Sequence, residues 1–247
     1  MKRWKGLAFG AAAYSVALLV TAPATLVDAA LRRASGGALR VVEARGSIWS
    51  GSGQLELLDP QRGNGIAKAL SWRVLPGSLW RGHAVYDVLL ADTATPARVT
   101  LSPSRIEIAN VRVELPASAI GIAVPRLAPA RLTGELSISA PRVALEGREM
   151  RASATVRWRN AGAALTPVSP LGEYEMRIES DEQGVRATLA TLSGPLELKG
   201  QGSWRGETRP AFTGTAHVPA PYVEQIAPLL RLVAAESGDG TFQFVAR

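Results

Sequence analysis

The sequence predicts an all-β domain placed in the periplasm: a long, curved antiparallel sheet of roughly a dozen strands with two short helices, preceded by one N-terminal transmembrane helix. Three observations carry this. From Leu39 onward, apolar and polar residues alternate with a period of two, the pattern of strands with one buried face. The 24 Gly and 16 Pro are spread along the chain rather than clustered, as many turns between short elements require. Finally, the 22 residues between Lys5 and Asp28 carry no charge.

That uncharged run is long enough to span a bilayer, since roughly 20 residues cross the hydrocarbon layer at 1.5 Å per residue. Leu7, Phe9, Tyr14, Leu18, Leu19, Val20, Leu26 and Val27 supply its apolar surface. Trp4 sits at its edge, where an interfacial aromatic is favoured. Lys2, Arg3 and Lys5 precede it and hold the N-terminus in the cytoplasm, so the chain after Asp28 is translocated. Ala22-Pro23-Ala24 also offers the small residues of a signal cleavage site, but the run exceeds the usual signal core of about 7–15 residues. The expected organisation is therefore an uncleaved inner-membrane anchor over 1–28 and a periplasmic β-rich domain over 29–247.

Within that domain, strands are expected at Leu39–Arg45, Gly53–Asp59, Ala67–Leu75, Gly82–Ala91, Ala97–Leu101, Arg105–Leu115, Arg131–Ser139, Arg142–Leu145, Arg151–Asn160, Glu173–Ser180, Val185–Thr191, Pro195–Arg205, Ala211–Val218 and Thr241–Ala246. The alternation changes phase at Ala109-Asn110, as a bulge would make it do. Asp181–Gly184 has the composition of a hairpin turn. Ala117–Ile122 is expected to be a short helix. In Pro221–Ala235, Tyr222, Ile226, Leu229, Leu230 and Val233 fall on one helical face, and Pro228 is expected to kink or split it. Pro116, Pro125 and Pro129 bracket a stretch without alternation, so a sub-division near 116–129 is the best boundary.

Gly46-Ser-Ile-Trp49-Ser-Gly51, Gly77-Ser-Leu-Trp80-Arg-Gly82 and Gly202-Ser-Trp204-Arg-Gly206 share one form. Glycine permits a tight backbone on either side of a large ring, so these are expected to be structural turns with Trp covering a sheet edge or corner.

The composition excludes several chemistries. With no Cys there is no thiolate metal site, cysteine nucleophile or disulfide, which suits an oxidising compartment. Of the net charge of +7, three positive charges belong to the N-terminal tip; the remainder has 25 basic against 21 acidic residues. No Lys/Arg block interleaved with aromatics is present, so nucleic acid is not an expected partner. His83 and His217 each lie in an alternating strand, where a structural or solvent-facing role is expected. Zincin, nucleophile-elbow and Walker-type motifs are missing, and Gly51-Ser-Gly53 is followed by no helix-forming stretch. No catalytic residue, metal ligand or cofactor is therefore predicted. Glu173, Glu175 and Glu179 share one side of a strand, as a solvated face or as an acidic stripe for a basic partner.

Several segments together resemble type II secretion system protein N, the general secretion pathway protein N family. They are Pro23–Asp28, Val42–Leu55, Leu70–Val74 with Pro76–Trp80, Leu192–Trp204 and Pro228–Gly240. The resemblance covers nearly the whole chain, anchor included. It implies a non-enzymatic, inner-membrane-anchored subunit that contacts the secretin and the inner-membrane platform proteins through its periplasmic domain, without metal or cofactor. The alternative, which alternating strands also permit, is a lipid-transfer or lipid-binding protein with acyl chains on an apolar groove. A docking subunit is expected to lack a continuous apolar trough, and a lipid carrier to have one.

Overall fold

The structure, a computed structural model, describes residues 14, 17, 18, 20–58, 65–91, 93–147, 149–181, 184–204, 211–238 and 240–246. These residues build a 14-stranded antiparallel sheet with a few short helices. The chain divides into two compact units: residues 1–77 with 86–91, and residues 78–85 with 92–247. The stretch 116–129 lies inside the second.

In the first unit, helix α1 (Thr25–Ala34) precedes β1 (Leu39–Gly46), β2 (Ser50–Leu58) and β3 (Gly65–Leu75), which pair antiparallel in order. The core gathers Ala24, Val41 and Trp72, with Val27, Leu31, Leu55, Leu70, Tyr86 and Val88 against them. Helix α1 also closes the outer edge of β1. Val41 N–H donates to Asp28 Oδ1 at 2.7 Å and Leu39 N–H to Ser35 Oγ at 3.0 Å, so donors that would otherwise invite another strand are satisfied.

Leu26 and Val27, expected as the last residues of the anchor, belong to α1, which starts afresh at Thr25, and residues 28 and 29 both lie within it. Pro23 is the reason: it has no N–H to continue a helix, and it disfavours helical geometry in the residue before it. Ala22 and Ala24 are instead buried and bonded to the β1–β2 turn through Ile48 N–H to Ala22 O at 3.0 Å and Ala24 N–H to Gly46 O at 3.1 Å. No helix of the described residues is long and apolar enough to cross a membrane. Leu7, Phe9 and Leu19 lie outside the described residues; Tyr14, Leu18 and Val20 are exposed.

β4 (Ala84–Leu90) follows helix α2 (Pro76–Leu79). In the second unit, β5 (Ala97–Leu101), β6 (Arg105–Pro116), β7 (Leu132–Glu146), β8 (Glu149–Ala163), β9 (Gly172–Asp181), β10 (Gly184–Ser193), β11 (Glu197–Trp204) and β12 (Ala211–His217) pair antiparallel in sequence order. β14 (Thr241–Ala246) then pairs with β12, and the short β13 (Ala235–Gly238) lies outside it. Helix α3 (Ser118–Ala123), a 3-10 turn over Pro125–Ala130, and helix α4 (Val223–Leu230) fill the connections after β6 and β12.

Most expected strands stand within a few residues of their predicted limits. The two expected at Arg131–Ser139 and Arg142–Leu145 are one strand, β7, whose register against β8 shifts between Ser139 and Arg142. Pro141 sits at this bulge, where no ladder N–H is needed. The phase change at Asn110 lies at the same level, opposite Pro141, with Asn110 at φ +58°. The helix expected over Pro221–Ala235 is shorter. It runs through Pro228, ends at Leu230, and Ala235 opens β13. Asp181 and Gly184 pair as the hairpin reading requires.

Candidate binding surfaces

In an antiparallel pair, directly opposed residues share a face, so the register defines rows across the second unit. On one face the rows are almost wholly apolar. Leu115, Leu136, Trp158 and Tyr174 form one; Val113, Ile138, Val156, Met176 and Leu189 form the next. Ala154, Ile178 and Ala187 continue the track. Beyond the bulge come Val99, Ile108, Val143 and Ala152, and then Leu101, Ile106, Leu145 and Met150.

Burial falls along these rows. At the end where α3, the 3-10 turn and α4 connect the strands, Leu136, Tyr174, Ala216 and Phe242 are buried, as are Ala117, Ala130, Leu171, Ile226, Leu229 and Leu230 of the connections. Tyr174 O–H donates to Leu196 O at 3.0 Å, and burial pushes its pKa well above the ordinary phenol value. At the opposite end Leu101, Ile106, Leu145 and Met150 are 38%, 43%, 42% and 40% exposed. Four large apolar side chains paired in one row and open to solvent constitute a contiguous patch, not scattered surface leucines.

The other face is polar and internally paired. Glu175 receives Arg157 Nε on Oε2 and Arg177 Nε on Oε1, both at 2.6 Å, and its side chain is only 7% exposed. The hydrogen bond from Arg157 contributes most, with Arg177 beside it, to holding this carboxyl below the usual glutamate range. Glu107 is bridged in the same way by Arg105 and Arg142, each at 2.8 Å. The acidic stripe expected from Glu173, Glu175 and Glu179 is therefore broken at its centre, because arginines on β8 and β9 neutralise Glu175.

The repeated Gly-Ser-Trp segments do not share one conformation. Gly46 ends β1 at φ +92° and Gly82 turns at φ +75°, as turn glycines should. Trp49 is half-buried in the β1–β2 turn, and its carbonyl accepts from Val74 N–H at 2.7 Å. Gly77 lies inside α2. Gly51, Gly202 and Trp204 are strand residues, not turns: a Cβ on Gly51 would come within 2.5 Å of the Trp72 ring, so that glycine makes room for a core tryptophan. Gly206 lies outside the described residues. Trp80, expected to cover a corner, is 93% exposed. The shared form hides these differences, because each segment takes its conformation from the strands it joins and not from its own residues.

His83 Nδ1 lies 3.3 Å from Arg81 O, and His217 Nδ1 lies 3.3 Å from Thr241 Oγ1. Among the described residues no three His, Asp or Glu side chains gather as a metal site would require. Sequence reasoning missed the exposed Leu101–Met150 row. Its residues are visible as strand positions, but register, which alone aligns them, is not written in any single strand.

The fold defines an all-β protein built on an antiparallel sheet, whose apolar face in the second unit is buried at one end and open at the other. Within that class, the chain belongs to the family of type II secretion system (T2SS), protein N, which matches residues 37–245. It is thus a subunit of the type II secretion system. No curated protein and no solved structure matches the chain.

Proposed function

We propose that this subunit works by binding rather than catalysis, held in the inner membrane by the apolar run ahead of Ala22, with its sheet in the periplasm. There it supports the link between the inner-membrane platform and the outer-membrane secretin through protein contacts. The observation that carries the reading is the family match over 37–245. The geometry selects the mode of contact. Strand addition at β1 is disfavoured because α1 satisfies that edge, and the open apolar row of β5–β8 is the docking surface in this reading. A photo-crosslinker at Ile106 or Leu145 in cells, followed by mass spectrometry of the adducts, tests this. Adducts to secretin or platform proteins are the expected result; adducts to lipid alone would reject it.

One observation favours a second reading. The apolar track continues row after row toward the open end, as a lipid groove would need and as a docking subunit was not expected to show. In that reading acyl chains lie on the face, and phospholipid co-purifies with the chain in place of secretion subunits.

A further inference from the structure

The connection between β3 and β4 holds an indole in solvent by design. Pro76 opens α2, Arg81 N–H donates to Ser78 O at 3.0 Å, and Gly82 N–H to Leu79 O at 3.1 Å. The buried Ser78 accepts Val85 N–H on its Oγ at 3.0 Å. Gly82 supplies the left-handed turn at φ +75°. The outcome is Trp80 at 93% exposure, with Leu79 at 41% beside it and Arg81 next in the chain. A fixed turn that presents Leu-Trp-Arg outward is not accounted for by packing within the protein.

We infer that the Leu79-Trp80-Arg81 turn is a membrane-interface finger, seated among anionic phospholipid headgroups of the bilayer that holds the chain's own apolar N-terminal run. Tryptophan and arginine beside an apolar residue match the chemistry of that interface. The chain itself names the occupant. Leaving the apolar run, it is bonded at Ala22 and Ala24 to the β1–β2 turn. That turn is in turn bonded to the end of β3: Trp72 Nε1 donates to Ser47 O at 3.1 Å, and Val74 N–H to Trp49 O at 2.7 Å. Trp80 follows Val74 by six residues, at most about 22 Å of extended chain.

Charge agrees. No acidic residue occurs before Asp28, between Glu43 and Glu56, or between Asp59 and Asp87. Arg45, Arg73 and Arg81 fall in these stretches beside the two tryptophan turns, so the chain next to both turns carries basic and no acidic side chains, which suits anionic headgroups.

This inference rests on the anchored reading proposed above, and one experiment separates the two. The full-length chain and its Trp80→Phe variant are reconstituted in phosphatidylethanolamine and phosphatidylglycerol vesicles, with and without chain-brominated lipid, and floated on a density gradient. Trp80→Phe removes one emitter at an exposed position, and matching thermal unfolding shows that the fold is kept. The expected result is that both float. The emission belonging to Trp80, taken as the difference between the two proteins, is then blue-shifted from indole in water and lost in brominated lipid. If both float and that emission is water-like and unquenched, the finger is wrong and the anchor stands. If neither floats, the anchored reading fails and the finger with it.

Discussion

At the scale of single residues, the decisive side chains are polar groups with their partners already chosen. Glu175 is the clearest. Two guanidiniums hold its carboxyl below the ordinary glutamate range, so its contribution to stability is complete at neutral pH, above the unfolded-state value. It is lost only as pH falls through the lowered folded-state value. Denaturant midpoints of the wild type and Glu175→Gln should therefore differ most near pH 7 and converge in acid, once the pH has fallen through the lowered folded-state value and the wild-type carboxyl is protonated as well. A gap that persists unchanged at that acid pH would mean that the Arg157 and Arg177 contacts act through shape and not through charge. The same pairing explains why a row of glutamates, legible in the sequence as a stripe, carries no free acidic surface at its centre. The cross-strand partner that neutralises Glu175 is 18 residues away in sequence.

At the scale of elements, a repeated device replaces the one the sequence advertised. Helices α1 and α3 lack a side-chain N-cap. Each begins after a Pro-Ala pair whose Ala is buried, and that Ala N–H donates to the carbonyl of a left-handed glycine: Ala24 to Gly46 at 3.1 Å and Ala117 to Gly134 at 2.9 Å. Val218 N–H meets Gly240 O at 2.9 Å ahead of α4 in the same manner. Gly134 is the most constrained of these glycines, at φ +103° with Arg159 O and Asn160 O each 2.5 Å from where a Cβ would stand. Gly134→Ala should cost about 1–3 kcal/mol. Gly147→Ala, at φ +59° with open space around it, should cost about 1 kcal/mol. Thermal unfolding of the pair checks the order. Equal losses would show that backbone angle alone, and not the crowded carbonyls, sets the cost. Most strands are legible because period-two alternation survives wherever one face is buried, as in β10 and β11. β7 reads as two strands because the Ala140-Pro141 bulge inverts the phase within a continuous strand. β13 escapes the pattern because four residues after a helical stretch give no period to read. Hydropathy runs Leu26 and Val27 into the uncharged stretch because it does not register Pro23, or that Ala24 and Val27 have a sheet to pack on.

At the scale of the second unit as a whole, its apolar face is a gradient, and the gradient carries the functional question. Leu136 is 6% exposed at the covered end and Leu145, on the same strand, is 42% exposed at the open end. Both face the same side because the bulge between them preserves the apolar face through the change of phase. A charge placed at each should therefore act differently. Leu136→Asp buries a carboxylate among Trp158 and its neighbours and removes a core side chain, so it should cost several kcal/mol and prevent stable folding. Leu145→Asp gives up little burial, and its cost should stay within about 1 kcal/mol. The open row then becomes separable from stability. Leu145→Asp, or Ile106→Asp beside it, should leave the unfolding midpoint almost unchanged. If the row docks a secretion subunit, crosslinking yield should fall about tenfold or more, equivalent to roughly 1.4 kcal/mol. If acyl chains occupy the row, the same substitutions should deplete co-purified phospholipid instead and leave contacts with secretion subunits intact. Unchanged recovery of both would show that the patch is tolerated surface, and the working surface would then lie at the outer edge of β14 beyond Gln243, where β13 no longer pairs with it.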